Sequence, residues 1–482
     1  MKTSKKMPIE LDIANLPLTP LTALSPLDGR YWESVKELSP YVSEWGLIRA
    51  RFEVEARYLV ALSEVDVVRH LSADERDRLN TLGQNITLSD AETVKRIERE
   101  TRHDVKAMER AFRGMVVGTS LEDLTEMIHF GLTSEDVNNL AYRLMLKRAT
   151  EDICLPVLDR IVDELMDWTE RYKKVPMLGR THGQPAVPTT AGKEFAVFAE
   201  RLNLQTRGLE KRPLRGKLTG AVGNFNAHYF ARPDVDWIKF SERFVRSLGF
   251  DANLITTQID SPEDIIEYLQ NYQRINGVLV DFDQDVWRYI SDFWIVLEKR
   301  AGEVGSSTMP QKINPQDFEG SEGNLVSAHA ISSNAWIENM ARKLPMSRLQ
   351  RDLSDSTVIR NLGVILGHSL LGYKNILAGA SRMSLNEAQI KTDLNRDWVI
   401  LAEGVQTLLR SEGVEDPYFL IASLTRGEHI GQGEWQEWVD GLPIDKDKKN
   451  AVRDLEPETY IGLAVKLSNL TRRRIKASRR RK

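Results

Sequence analysis

Long stripes of apolar residues at helical spacing organise the chain. Cys154, Leu158, Ile161, Leu165 and Trp168 recur at alternating steps of four and three, which puts them on one face of a helix. Phe195, Phe198, Leu202 and Leu209 form a second stripe. Leu279, Phe282, Val286, Ile290, Phe293 and Leu297 form a third, and Val358, Leu362, Ile365, Leu370 and Ile376 a fourth. A Ser or Thr with Glu three residues on, the reciprocal capping pattern, marks helix starts at Ser72/Glu75, Ser89/Glu92, Thr119/Glu122 and Ser384/Glu387. Strand alternation is weak. Only "LRGKLTGAVGNFNAH" (214–228) has the Gly/Asn punctuation of a short hairpin or an ordered loop. The pattern predicts an all-α protein built on a bundle of extended helices. Restart signals near 130 and near 375–385 predict three mainly helical domains: 1–130, a central long-helix bundle over 131–375, and 376–482.

No apolar period runs through "GSSTMPQKINPQDFEGSEGN" (305–324). Connections of this length are uncommon in compact domains and tend to be lids or linkers. The segment 302–324 is therefore expected to be a mobile loop.

Composition changes this picture little. The 482 residues exceed one ordinary core, and 41% hydrophobic with 28% charged residues is typical of a globular chain. The first residues carry lysines without the apolar stretch of a secretory signal, and no apolar run is long enough for a bilayer. One cysteine, Cys154, allows no internal disulfide, and a cytoplasmic location is expected. Charge is uneven. The tail "TRRRIKASRRRK" (471–482) is rich in Arg and Lys, while the rest of the chain has 58 basic against 70 acidic residues. An acidic body argues against nucleic acid as the main partner. The tail is expected to be a solvated, frayed terminus with at most a weak nucleic-acid contact.

Polar residues gather in "ETRHDVKAMER" (100–110), "GLTSEDVNNL" (131–140), "GRTHGQPAVPTTAGKE" (179–194), the 305–324 loop and "RLQRDLSDSTVIRN" (348–361). His182, between Thr181 and Gly183 and close to Pro185, fits either a reactive group on a turn or a structural turn residue. His129, His329 and His368 fall in helical patterns and are read as structural. No two histidines have helix-face metal spacing, so no metal is expected. In the loop, Ser306 and Ser307 follow Gly305, with Lys312 and Asn314 close behind. A serine hydroxyl becomes a base only where N–H groups and a cation stabilise its alkoxide; otherwise the loop is merely flexible and its lysine solvated.

"GSSTMPQKINP" resembles the signature of the fumarase/aspartase superfamily. "SPLDGRY" (25–31), "HDVKAME" (103–109), "TSEDVNNL" (133–140), "RTHGQPAVPTT" (180–190), "GAVGNFNAH" (220–228), "TTQI" (256–259) and "QRDLSDSTVIRN" (350–361) resemble its bacterial adenylosuccinate lyase branch, in that branch's order. The resemblance implies a homotetramer with a twenty-helix core and active sites each shared by three subunits. It implies elimination of fumarate from adenylosuccinate and SAICAR without a cofactor, with Ser306 as base and His182 as acid. Lys312 and Asn314 would hold the succinyl carboxylates, assisted by Thr133, Ser134, Gln258 and Thr308. Arg30, Tyr31, Arg351, Ser356 and Arg360 would bind phosphate and ribose, and Arg102, His103 and Asp104 would position the substrate. Gln311 and Arg102 stand where relatives usually carry His and Asn, which bears on substrate contacts. The alternative is a fumarate-releasing lyase for another succinylated amine, such as argininosuccinate.

Overall fold

The structure, a computed structural model, describes residues 17–326, 332–425 and 430–480. Its principal helices are α1 (Glu44–Ser63), α2 (Ala73–Asn85), α3 (Leu88–Thr101), α4 (Asp104–Val116), α5 (Ser134–Ala149), α6 (Leu155–Tyr172), α7 (Ala191–Glu210), α8 (Glu263–Ser291), α9 (Gln316–Leu325), α10 (Leu362–Ala380) and α11 (Ala464–Arg479). Short strands pair in twos among the described residues. β1 (Pro176–Thr181) joins β2 (Gln184–Thr190) antiparallel, β3 (Arg215–Gly216) joins β4 (Asp251–Ala252) parallel, and β5 (Ile295–Leu297) joins β6 (Met383–Leu385) antiparallel. The all-α expectation stands.

The apolar stripes hold along continuous helices. Leu158, Ile161, Leu165 and Trp168 are buried along α6, and Phe195, Phe198, Leu202 and Leu209 along α7. The Trp168 and Phe195 ring centres lie 4.9 Å apart, and each such side chain fully buried contributes about 1.5–3 kcal/mol. Cys154 is buried but belongs to a π-helical turn, Thr150–Cys154, ahead of α6. The third stripe overruns its helix. α8 stops at Ser291, Phe293 turns left-handed (φ 58°) and is exposed, and Leu297 lies in β5. The fourth is two helices, Ser354–Ile359 and α10, interrupted at Arg360–Asn361. Spacing cannot report a break whose flanks keep the same period.

Of the four capping pairs, Ser72/Glu75 forms as expected, with bonds of 2.8 and 3.2 Å. α3 is instead capped two residues upstream of Ser89, by the overlapping Thr87/Asp90 pair. Thr119 and Glu122 close a turn before a 3₁₀ helix, accepting from Leu121 N–H and Gly118 N–H. Ser384 lies in β6, and Asn386 caps the helix Glu387–Leu394.

Two expectations are corrected, and one open alternative is decided. The 305–324 segment is irregular only up to Pro315, where α9 begins; burial of Phe318, Ser321 and Leu325 on one face, and Asp317 and Glu319 in the first turn, stabilise that helix. The 214–228 stretch is an ordered loop, not a hairpin: Arg215–Gly216 pairs with Asp251–Ala252, and Asn226–Ala231 is helical. The basic tail is not frayed through residue 479. It is the end of α11, with Ile475 fully buried, Arg472 paired with Glu170, and Arg479 paired with Asp159 and Asp163. Its cations match acidic residues of α6, a complementarity invisible along the chain.

The described residues fall into two compact units. The first draws on Met1–Cys154, Pro213–Leu269 and Ser327–Leu371. At its core α1 is buried on nearly every side, its Phe52 and Tyr58 set edge-on to Phe112, Phe240 and Phe244. The second draws on Leu155–Arg212, Gln270–Val326 and Gly372–Lys482. Here α11 packs on α7, where the Asn203 amide donates to Ser478 at 3.1 Å.

Candidate active site

In the first unit a cavity of about 330 Å³ opens where three polar stretches meet. α3 ends at Arg102, which adopts a left-handed backbone (φ 53°) and donates its N–H to Glu98 O at 2.7 Å. An L-residue there costs about 1–2 kcal/mol. The reversal puts His103 at the N-cap of α4, Nδ1 accepting from Lys106 N–H at 3.2 Å, and Asp104 in the first turn. Asp104 Oδ2 receives Arg51 at 2.6 Å and Arg360 at 2.9 Å. Burial alone would raise its pKa, but the two guanidinium groups and the Val105 N–H outweigh that and hold it at about 2. Arg360 also reaches Glu44 at 2.7 Å.

The start of α5 supplies the second wall. Asp136 accepts from Thr133 N–H at 2.9 Å, Thr219 N–H at 3.0 Å and Gly220 N–H at 3.2 Å. Lys217 Nζ lies 3.0 Å from the same carboxylate and donates to Gly220 O at 2.8 Å; both side chains are fully buried. Gln258 Nε2 donates to Ala221 O at 2.9 Å. Thr133, Ser134 and Gln258 thus hang from one buried knot. Gly131 beneath it has φ 68°, and a Cβ there would stand 2.8 Å from the His228 ring, so only glycine fits. The third wall is the segment carrying Arg351, Asp355 and Ser356.

Of the residues expected from sequence, Arg102, His103, Asp104, Ser134, Arg351, Ser356 and Arg360 line the cavity. Thr133 caps α5 beside it without lining it, and Gln258 is likewise outside the lining. Arg30 and Tyr31 do not line it: Arg30 sits 5.9 Å over the Tyr31 ring, and Tyr31 packs on Leu27, Val35 and Leu371. Arg51, Glu135, Tyr142, Arg143, Asp260 and Asp355 line the cavity and were missed. Glu135 and Asp355 fall inside the polar stretches "TSEDVNNL" and "RDLSDSTVIRN"; for Arg51 the only signal was a cation amid the apolar positions of α1.

In the second unit His182 and Gly183 (φ 53° and 73°) form the tip of the β1–β2 hairpin, with Thr181 paired to Gln184. Two positive φ angles in a two-residue turn match the twist of the strands and leave the His182 ring exposed. Ser306 Oγ accepts from Thr308 N–H at 3.3 Å and Met309 N–H at 3.0 Å. Two donors aimed at a hydroxyl oxygen favour its deprotonated form. Asn314 Nδ2 closes the turn on Gly305 O at 2.5 Å, and a Cβ on Gly305 would meet Lys312 O at 1.9 Å. Lys312 is exposed and, among the described residues, has no acidic partner. Arg382 pins the flanks, paired with Glu303 at 2.7 Å and Asp317 at 3.2 Å.

Outside these sites, His129 is not helical as expected. It sits in a turn (φ 65°) with Nδ1 2.5 Å from Glu55 Oε1, and the Glu55 charge outweighs burial to raise its pKa. His368 is in α10, and His329 lies outside the described residues. Among the described residues no three His, Cys, Asp or Glu side chains are grouped to hold a metal ion.

Comparison with known proteins places this geometry. Residues 29–330 match the profile of the "Lyase" family, and residues 347–461 that of the "Adenylosuccinate lyase C-terminal" family. A fumarate lyase from Mesorhizobium sp. BNC1 has the same fold, with a TM-score of 0.69 at 16% identity over 90% of this chain and 97% of its own. A β-carboxy-cis,cis-muconate cycloisomerase from Acinetobacter calcoaceticus gives a TM-score of 0.68 at 15% identity, over 92% and 100%. The helical fold, the 305–315 signature and the lyase profile define a lyase of the fumarase/aspartase superfamily. The adenylosuccinate lyases of Haemophilus influenzae and Escherichia coli K12 are 44% and 43% identical to this chain, over 93% of it and 98% of each. That of Dictyostelium discoideum is 43% identical with the same coverage. The chain belongs to the adenylosuccinate lyase family.

Proposed function

We propose that the chain cleaves adenylosuccinate to AMP and fumarate, and SAICAR to AICAR and fumarate, in purine nucleotide biosynthesis. The observation that carries this reading is 42–44% identity to adenylosuccinate lyases over more than nine-tenths of the chain. Ser306 takes the Cβ proton beside a succinyl carboxylate, the carbanion's charge spreads onto that carboxylate, and His182 protonates the departing nitrogen. Each transfer is worth roughly 10²–10⁴-fold. The two N–H groups on Ser306 Oγ support its role as base.

Lys312 and Asn314 hold the succinyl carboxylates, with Thr133, Ser134, Gln258 and Thr308 around them. Arg351, Ser356 and Arg360 bind phosphate, since guanidinium pairs phosphate oxygens bidentately. Arg30 and Tyr31 complete the phosphate and ribose contacts, and Arg102, His103 and Asp104 position the substrate. The family resemblance supports a homotetramer whose sites draw on several subunits. The division into 1–130, 131–375 and 376–482, the closure of the 302–324 segment as a lid and a cytoplasmic location belong to the same reading; among the described residues no helix is long and apolar enough to cross a membrane. The test is an absorbance assay of the purified protein on adenylosuccinate, SAICAR and argininosuccinate, with fumarate release measured independently. Turnover of the first two and not the third is expected; turnover of argininosuccinate alone refutes the assignment.

A further inference from the structure

We propose that Glu135 competes with substrate phosphate for Arg351, and that the enzyme takes up a proton at Glu135 when a nucleotide monophosphate binds. The inference rests on the phosphate site proposed above and adds a residue to it. Every other arginine of the cavity walls with a close carboxylate is firmly engaged. Arg51 holds Asp104 at 2.6 Å, Arg360 holds Glu44 and Asp104 at 2.7 and 2.9 Å, and Arg143 holds Asp264 and Asp260 at 2.8 and 2.9 Å. Arg351 is different. Its Nη2 is 3.6 Å from Glu135 Oε2, beyond hydrogen-bond reach, and its buried Nε has no partner among the described residues. Asp355 Oδ1, on the same wall, is likewise buried without one. Arg351 is thus, beside Arg102 at the cavity wall, a cation that a phosphate dianion can recruit without breaking a strong pair.

The consequence falls on Glu135. Its side chain is almost fully buried, and its charged neighbours are Arg351 and Asp355 from the facing segment, Lys217 from the loop below and Arg143 on its own helix, with Asp104, Arg51 and Arg360 across the cavity. Burial, with Asp355, already pushes its pKa up to about 7 against the pull of Arg351. A phosphate that draws Arg351 away and brings two negative charges leaves the carboxylate without its main counter-charge. Protonation removes that repulsion and turns Glu135 into a hydrogen-bond donor toward the ligand.

The test is calorimetric titration of AMP into the full-length protein at pH 8, in buffers of different ionisation enthalpy. AMP phosphate is already a dianion there, its second pKa being about 6, so proton uptake reports a protein group. Uptake of a sizeable fraction of a proton per site is expected, lost in Glu135→Gln, with adenosine showing none in either protein. Arg351→Met should weaken AMP binding at least tenfold and leave adenosine binding unchanged. AMP binding that depends on Arg351 without proton uptake, or with uptake that persists in Glu135→Gln, overturns the role of Glu135 and leaves the phosphate site standing. AMP affinity unaltered by Arg351→Met overturns the phosphate site itself, and this inference with it. Should Glu135→Gln fail to fold, absence of uptake in the unmodified protein is sufficient to reject the proposal.

Discussion

Residue by residue, the first unit holds several buried charges in pairs beside its cavity. Arg143 is fully buried against Asp260 and Asp264, and Lys217 against Asp136. Such pairs add little net stability, but removing one partner costs about 3–5 kcal/mol because the other is left charged and buried. His228 is the neutral counterpart. Its Nε2 lies 3.1 Å from Tyr58 Oη, its Nδ1 has no partner among the described residues, and Trp237 packs against the ring. Burial pulls its pKa down to about 4 from 6.5. A base depressed in the folded state gives stability that is present above its unfolded pKa and lost as pH falls through the folded one. Between pH 6.5 and 4, His228 should therefore cost the fold up to about 3 kcal/mol. Urea unfolding of His228→Gln across that range should show a correspondingly shallower acid slope than the parent protein; an identical slope would mean that His228 is not held neutral.

At the level of elements, local signals succeeded where one helix met one core and failed where partners were distant. From Leu158 onward α6, and α7 throughout, follow their apolar stripes, because a continuous helix keeps phase with its own spacing. α11 shows the opposite case. Its arginines look like a solvated run in sequence, yet Arg472 and Arg479 face Glu170, Asp159 and Asp163 about three hundred positions upstream. Truncation after Thr471 removes the buried Ile475 together with these pairs. From burial of one Ile and ion pairs worth up to about 1 kcal/mol each, the loss should be roughly 2–4 kcal/mol. A urea midpoint unchanged by the truncation would show that this end of α11 is not docked in solution. The β1–β2 hairpin was legible only as a Gly/Pro-rich turn; its strands contain Pro185 and Pro188 and lack clean alternation, so the pairing that presents His182 had no pattern of its own.

For the molecule as a whole, the acid–base candidates and the arginine-lined cavity belong to different compact units. If sites are shared between subunits, His182→Ala and Ser306→Ala, each nearly inactive alone, should regain measurable turnover when mixed tetramers form. Verified subunit exchange without any recovery would count against shared sites. The sequence by itself determined the helical class, because apolar period is a property of neighbours along the chain. It also determined the candidate chemistry, because the 305–315 signature and the stretches around His103, Ser134, His182 and Arg351 are contiguous words. Only the tertiary structure decided what those words share. The Asp136–Lys217 knot that gathers Thr133, Ser134 and Gln258, the pairing of Arg51 with Asp104, and the loose hold of Glu135 on Arg351 join residues tens to hundreds of positions apart. Charge complementarity and burial act through space, and no local pattern encodes which distant partner will satisfy a buried charge.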